Sequence, residues 1–136
     1  MTIKKVVIIL DEKLPIGLLA NASAVLAMTL GKAVEDIIGD SIVDASGNSH
    51  LGITKKVLPI LKASKEDLNR ICLEAKKEVD LFVVDFSDIA QRSKNYQDYT
   101  SQLQISKPEE INYLGIAIYG DKKKVNKLSG SLALLR

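Results

Sequence analysis

Apolar positions along the chain follow three patterns, and each points to a different element. Val6–Leu10, Leu81–Phe86 and Ile111–Tyr119 are apolar with little or no alternation, the pattern of strands covered on both faces. They are predicted to be neighbouring inner strands. Lys56–Leu61 reads as a fourth strand. Pro59 lacks an amide donor, which puts that strand at a sheet edge or in a bulge, outside the other three. Ser41–Ala45 reads as a shorter strand between the turn-forming Gly39-Asp40 and Ser46-Gly47-Asn48.

The second pattern has helical spacing. Leu68, Ile71, Cys72, Ala75 and Val79 form one stripe. Ser64 with an acid at the third helical position caps its start. Lys65, Glu66, Arg70, Glu74, Lys76, Lys77 and Glu78 make the opposite, solvated face. Ser87-Asp88 caps a third helix through Leu103 that is mostly polar, with Ile89, Tyr96, Tyr99 and Leu103 facing inward. Ser106–Glu109 caps one short turn, Gly120 ends the last strand, Asp121–Lys127 forms a short basic helix, and Leu132–Leu135 finishes the chain.

The third pattern is Leu14–Gly31, a stretch without a charged residue. Pro15 suits the first turn of a helix and Gly31 the position past its end. Its apolar residues run most of the way round, so it should lie across a sheet and be covered again on its far side. Lys32–Ile38 adds a further helical piece ended by Gly39. Strands alternating with helices give the expected fold class: a three-layer α/β/α arrangement with a small mixed sheet, in one domain over residues 1–136.

Composition narrows the function classes. The chain is 46% hydrophobic and 26% charged, with a formal net charge of +2, which is a globular balance. That charge is too small for a dedicated nucleic-acid binder, and with no Trp and 4% aromatics stacking platforms are scarce. No stable nucleic-acid complex is expected. The apolar run after Lys4-Lys5 is short and stops at Asp11-Glu12-Lys13, so it reads as a strand and not a leader. The uncharged helix is too short for a bilayer span and carries Asn21 and Ser23. With one Cys there is no internal disulfide, and a reduced, cytoplasmic location without membrane attachment is the expectation.

Few residues offer chemistry. His50 is the single histidine and follows turn residues, which exposes it for a ligand or acid–base role. No Cys or second His accompanies it for a metal site. Cys72 lies on an apolar stripe, the position of an inert thiol. Asn21 sits among apolar neighbours, where its amide would tie down a backbone loop or line a pocket. Asp85 ends a buried-type strand, where ligands gather in sheets of this class, or where an aspartate caps a turn. Lys122, Lys123, Lys124 and Lys127 form the one dense basic patch, a solvated face or an unspecific anion site. No glycine-rich phosphate cradle or Gly-x-Ser-x-Gly elbow occurs, so no cofactor is expected.

Several segments resemble an uncharacterised bacterial family with the fold of type II peptidyl-tRNA hydrolases. They are Asp11–Asn21, Asp44–Asn48, Gly52-Ile53, Leu114–Gly120 and Leu128–Arg136. The resemblance implies a mixed sheet between helices. It matches Gly17 to the glycine of the hydrolases' Gly-Lys pair, with Leu18 in the lysine's place. Val25 falls near their helical histidine. Lys127-Leu128-Ser129-Gly130-Ser131-Leu132-Ala133-Leu134 keeps their closing Lys-x-Thr-Gly-x-Leu-x-Leu pattern with Ser129 for threonine, and Asp85 falls near their strand-end aspartate. Ester hydrolysis needs a group to activate water and donors for the oxyanion, and a leucine supplies neither.

Three functions follow as expectations. The first is a non-hydrolytic binding protein that holds a small or nucleotide-like ligand near Gly17, Asn21, Asp85, Lys127 and Ser129, with His50 as a further candidate. The second is a hydrolase of peptidyl- or aminoacyl-tRNA esters with a relocated catalytic set drawn from Asp85 or His50. The third is a structural self-associating module. A homodimer with Ala20, Ala24 and Ala27 near the contact would cover the uncharged helix. Its rival is the Gly39–Ile53 loop folding over that helix within one chain.

Overall fold

The computed structural model describes residues 3–136. Strand β1 (Lys4–Asp11) leads into helix α1 (Ile16–Ala33), followed by the short strands β2 (Ile42–Val43) and β3 (Ser49–His50). Then come β4 (Ile60–Ala63), α2 (Lys65–Lys76), β5 (Phe82–Ser87), α3 (Asp88–Arg92) and α4 (Tyr96–Gln104). A single 3-10 turn over Pro108–Glu110 precedes β6 (Tyr113–Asp121), α5 (Lys122–Ser129) and β7 (Ala133–Leu134). Five strands form one mixed sheet in the order β5-β6-β1-β4-β7. β1 runs parallel to β4 and antiparallel to β6, so α1 and the following segment make the crossover that a parallel pair requires.

The fully buried run Val6–Leu10 of β1 divides the core by alternation. Val6, Ile8 and Leu10 face one side, where Ala22, Leu26 and Leu30 of α1 pack on them with Phe86 and Ala117. Val7 and Ile9 face the other, under Leu68, Ile71, Cys72 and Ala75 of α2 and Val125 of α5. The sheet thus lies between helical layers, as the patterning requires. Burial of each large side chain contributes about 1.5–3 kcal/mol against exposure.

The three apolar strands are neighbours, but β5 is an edge strand and not an inner one. Conversely, the strand after Pro59 is interior, paired with β1 on one side and β7 on the other. Pro59 lies one residue before it and uses only its carbonyl, which accepts from the Ile8 N–H at 3.0 Å; its missing donor is never required. β6 continues through Gly120, which stays paired opposite Lys5. Helix α2 stops at Lys76, leaving Val79 fully exposed instead of on the core stripe. Its cap is as expected, with Ser64 Oγ accepting from the Asp67 N–H at 3.1 Å. The polar third helix breaks into α3 and α4 because Asn95 caps a new start, accepting from the Asp98 N–H at 2.8 Å. Ile89 is buried, but Tyr96 points outward and is exposed.

α1 departs most from expectation. It runs through Gly31 to Ala33, no helix follows, and the chain turns at Asp36 with φ of 65°. At 18 residues and a mean hydropathy of 1.4, it reaches the length and apolarity of a short membrane span. Only its inner stripe is buried. Gly17, Ala20, Asn21, Ala24 and Met28 form an outer face that no part of the described chain covers, with Val25 and Thr29 at its margin.

The loop that could have covered this face is an arm instead. At its base the Gly39 N–H donates to the Ile53 carbonyl at 2.9 Å and the Lys55 N–H to that of Ile37 at 2.8 Å. A Cβ at Gly52 would fall on the Gly39 carbonyl, so glycine there lets the two sides of the base close. Beyond it β2 and β3 pair as a hairpin, turned at Gly47 with φ of 87°. Every residue from 40 to 51 is exposed, including Ile42, Val43 and Leu51.

Candidate functional site

The best-formed polar cluster lies where α2 meets the β5 edge. Val83 and Asp85 alternate with Val84 and Phe86 along β5, so the Asp85 carboxylate points to the α2 layer. There Lys76 Nζ meets Asp85 Oδ2 at 2.8 Å. The same ammonium donates to the Tyr113 hydroxyl at 3.2 Å and stands 4.8 Å from the centre of the Tyr113 ring. Burial opposes the charge on Lys76, but Asp85 and the Tyr113 hydroxyl outweigh it and hold the ammonium's pKa well above the ordinary lysine range. Burial raises the tyrosines Tyr99 and Tyr113, each with a smaller contribution from the Asp85 charge. It also pushes the Cys72 thiol up to about 11. At neutral pH Lys76 is therefore charged and the two phenols and the thiol are neutral, so none of these four is poised to exchange a proton.

Along the open edge of β5 runs a groove of about 380 Å³. Val25 and Thr29 of α1 form one wall, and Val84, Asp85 and Phe86 form the floor. Ser93, Asn95, Tyr96 and Tyr99 form the far wall. Tyr96 and Tyr99 meet edge to face, with ring centres 5.7 Å apart, and Tyr96 is 81% exposed. Among the described residues β5 pairs only with β6, so alternate backbone N–H and C=O groups along its outer edge remain available to a ligand.

Of the sequence candidates, only Asp85 lies in this groove. Gly17 and Asn21 are on the outer face of α1, across the sheet from the Asp85 carboxylate. Asn21 is exposed; the helix turns it outward with Ala20 and Ala24. Ser129 is buried, and its hydroxyl donates to the Val125 carbonyl of its own helix at 2.7 Å. Lys127 lines a separate shallow groove between α2 and α5. His50 stands on the arm, with Nε2 2.7 Å from Asp44 Oδ2. Asp44 also accepts from the Ser46 and Asn48 N–H groups, so this pair braces the hairpin turn. The His50 bond, followed by those two, lowers the Asp44 pKa.

Lys76 was missed because it falls on the solvated face of α2 by sequence alone. A signal was nonetheless present: Asp85 on a buried-type strand calls for a cationic partner. The basic run also divides in space. Lys124 pairs with Asp80 at 2.7 Å and Glu78 at 3.4 Å. Lys122 instead joins Lys4, Lys5, Lys55 and Lys56 around a groove of about 440 Å³ beside the start of β1. Those lysines come from three distant segments, and no local pattern unites them.

Comparison with known proteins now adds a family. The model of a family described as a protein of unknown function, DUF2000, matches residues 4–136. The chain belongs to that family. It is also similar to a solved structure, the protein of unknown function Atu0240 from Agrobacterium tumefaciens strain C58. That match has a TM-score of 0.89 and 19% sequence identity, and it covers 98% of each chain. At this identity the likeness establishes the shared mixed α/β fold. No curated protein matches the chain.

Proposed function

We propose that this DUF2000 protein is a non-hydrolytic binding protein that seats a small ligand with a flat ring, such as a nucleobase, in the groove along β5. The observation that carries the reading is Tyr96, a large aromatic ring left exposed at the rim of a groove. Such rings supply area for stacking. The Asn95 side-chain NH2, whose oxygen partner caps α4, supplies a donor, and the outer edge of β5 supplies donors and acceptors for a heterocycle's polar rim. A reducing, cytoplasmic setting suits the unpaired Cys72.

The test is a titration of isotope-labelled protein with adenosine and with uridine, followed by amide NMR shifts. Shifts should cluster at Val84–Phe86 and Asn95–Tyr99. Stacking on one aromatic is worth about 1–3 kcal/mol, so Tyr96→Ala should weaken binding by roughly fivefold or more. No shifts with either nucleoside, or shifts that survive Tyr96→Ala unchanged, would remove the reading.

One observation favours a hydrolase: His50 and Asp44 have the spacing of a general base and its orienting carboxylate. The pair lies on an exposed arm, and Leu18 and Val25 add no acid–base group. Turnover of a peptidyl-tRNA ester that disappears in His50→Ala would nevertheless establish the enzyme.

A further inference from the structure

We infer that two copies of this chain pair through a two-fold interface in which the arm of each lies along the outer face of α1 of the other. The inference is independent of the ligand reading. It begins with area. A compact monomer of 14.9 kDa is expected to expose about 7,000 Å². This chain exposes 9007 Å², about 2,000 Å² more than that expectation. A standard interface buries roughly 800 Å² per partner, so the excess is more than one such interface needs.

The location of the apolar surface gives the geometry. On α1 it comprises Ala20, Ala24 and Met28, with Met28 at 78% exposure. On the arm it comprises Ile42, Val43, Leu51 and Ile53, with Leu51 at 87%. Between the two lies a groove of about 300 Å³. Its lining is Ala27, Leu30, Gly31, Ile37, Ile38, Ile53, Thr54 and Leu58, apolar apart from Thr54. Helix, groove and arm base therefore form one continuous apolar surface. The arm leaves the body just beyond the end of α1 and does not fold back on it. An isolated two-stranded hairpin is marginally stable in water, and exposed apolar area of this extent marks an interface. A two-fold operation covers helix and arm together, since each copy supplies both halves of a self-complementary contact.

Small residues on α1 suit this contact. Ala20 and Ala24 leave room for the arm's Ile42, Val43 and Leu51 to approach the helix backbone.

The test combines mass with proximity. Light scattering across a dilution series should give twice the chain mass for the native protein and the chain mass for both Met28→Glu and Leu51→Asp. Both positions are exposed, so circular dichroism should report unchanged folding in each variant. Met28→Cys and Leu51→Cys proteins, mixed and oxidised, should form a disulfide between unlike chains, since native Cys72 is buried. A monomer at every concentration would overturn the inference. So would a dimer that persists in both charged variants, which would run through another surface such as the open β5 edge. Flotation of native protein with phosphatidylcholine vesicles, lost in Met28→Glu, would instead assign the α1 face to a lipid surface.

Discussion

α1 and α2 flank the same sheet, bury stripes of comparable chemistry, and differ in what they do with the opposite face. α2 buries Leu68, Ile71, Cys72 and Ala75 and turns Glu66, Arg70 and Glu74 to water. Arg70 ties that face together through contacts to Asp67 at 3.3 Å and Glu74 at 3.5 Å. α1 buries Ala22, Leu26 and Leu30 and turns Ala24, Val25 and Met28 to the same solvent. A polar outer face completes a helix within its own chain. An apolar one leaves it incomplete, and the residues that could complete it here extend away on an arm. The same layer logic thus yields a finished helix and an unfinished one, and the unfinished one marks where association is to be sought.

The largest effect expected from breaking this comparison lies on the inner stripes. Leu26→Ala in α1 and Leu68→Ala in α2 should each cost about 2–5 kcal/mol in denaturant unfolding, because both side chains are fully buried. Met28→Ala, two residues away and on the opposite, outer face of α1, should stay within about 0.5 kcal/mol in protein diluted to the monomer. Equal costs at Leu26 and Met28 would mean that α1 has no free face.

A smaller effect tests the end of the finished helix. Ser64→Ala removes the acceptor for the Asp67 N–H and should cost about 1 kcal/mol by thermal unfolding. Smaller still, Asp85→Asn loses a partly exposed ion pair with Lys76 and should cost under about 1 kcal/mol. The pH dependence has a definite sign. The Lys76 pKa is raised in the fold, so its stabilisation is complete below the unfolded lysine value and fades only in strong alkali. It should leave unfolding free energy level between about pH 6 and 9. The Asp44 pKa is lowered, so its contribution is present above its ordinary value of 3.8 and is lost as pH falls through the folded value. NMR of the arm should show Ser46 and Asn48 losing order in acid before the sheet does, and Asp44→Asn should show that loss already at neutral pH.

Much of the fold was legible because its signals are local. The β1 run, the α2 stripe with its Ser64 cap, and the β1–helix–strand alternation each depend on residues within a few positions of one another. The misreadings arise where a distant partner decides. β7 contributes only Ala133 and Leu134, yet their pairing makes β4 interior, and nothing near Pro59 announces it. Asn95 wins a new helix start from a segment whose polar residues offered no competing core stripe. The site was less legible for the same reason. Asp85 was visible on its strand, but Lys76 and Tyr113 reach it from separate elements, and Tyr96 resembles an inward residue until α4 is oriented. Asn21 was misjudged because an apolar surrounding in sequence was equated with a buried one in space.

The unfinished face of α1 and the arm that could cover its counterpart are tested most directly by hydrogen exchange on the arm at two protein concentrations. Amides of Ile42, Val43, Ser49 and His50 belong to a two-stranded hairpin exposed in the single chain, and such a hairpin alone should exchange rapidly. If the arm lies on a partner's helix, these amides are protected at high concentration and lose that protection on dilution, while the amides of β1 remain protected throughout. Rapid exchange on the arm at every concentration, with β1 equally protected, would contradict the account.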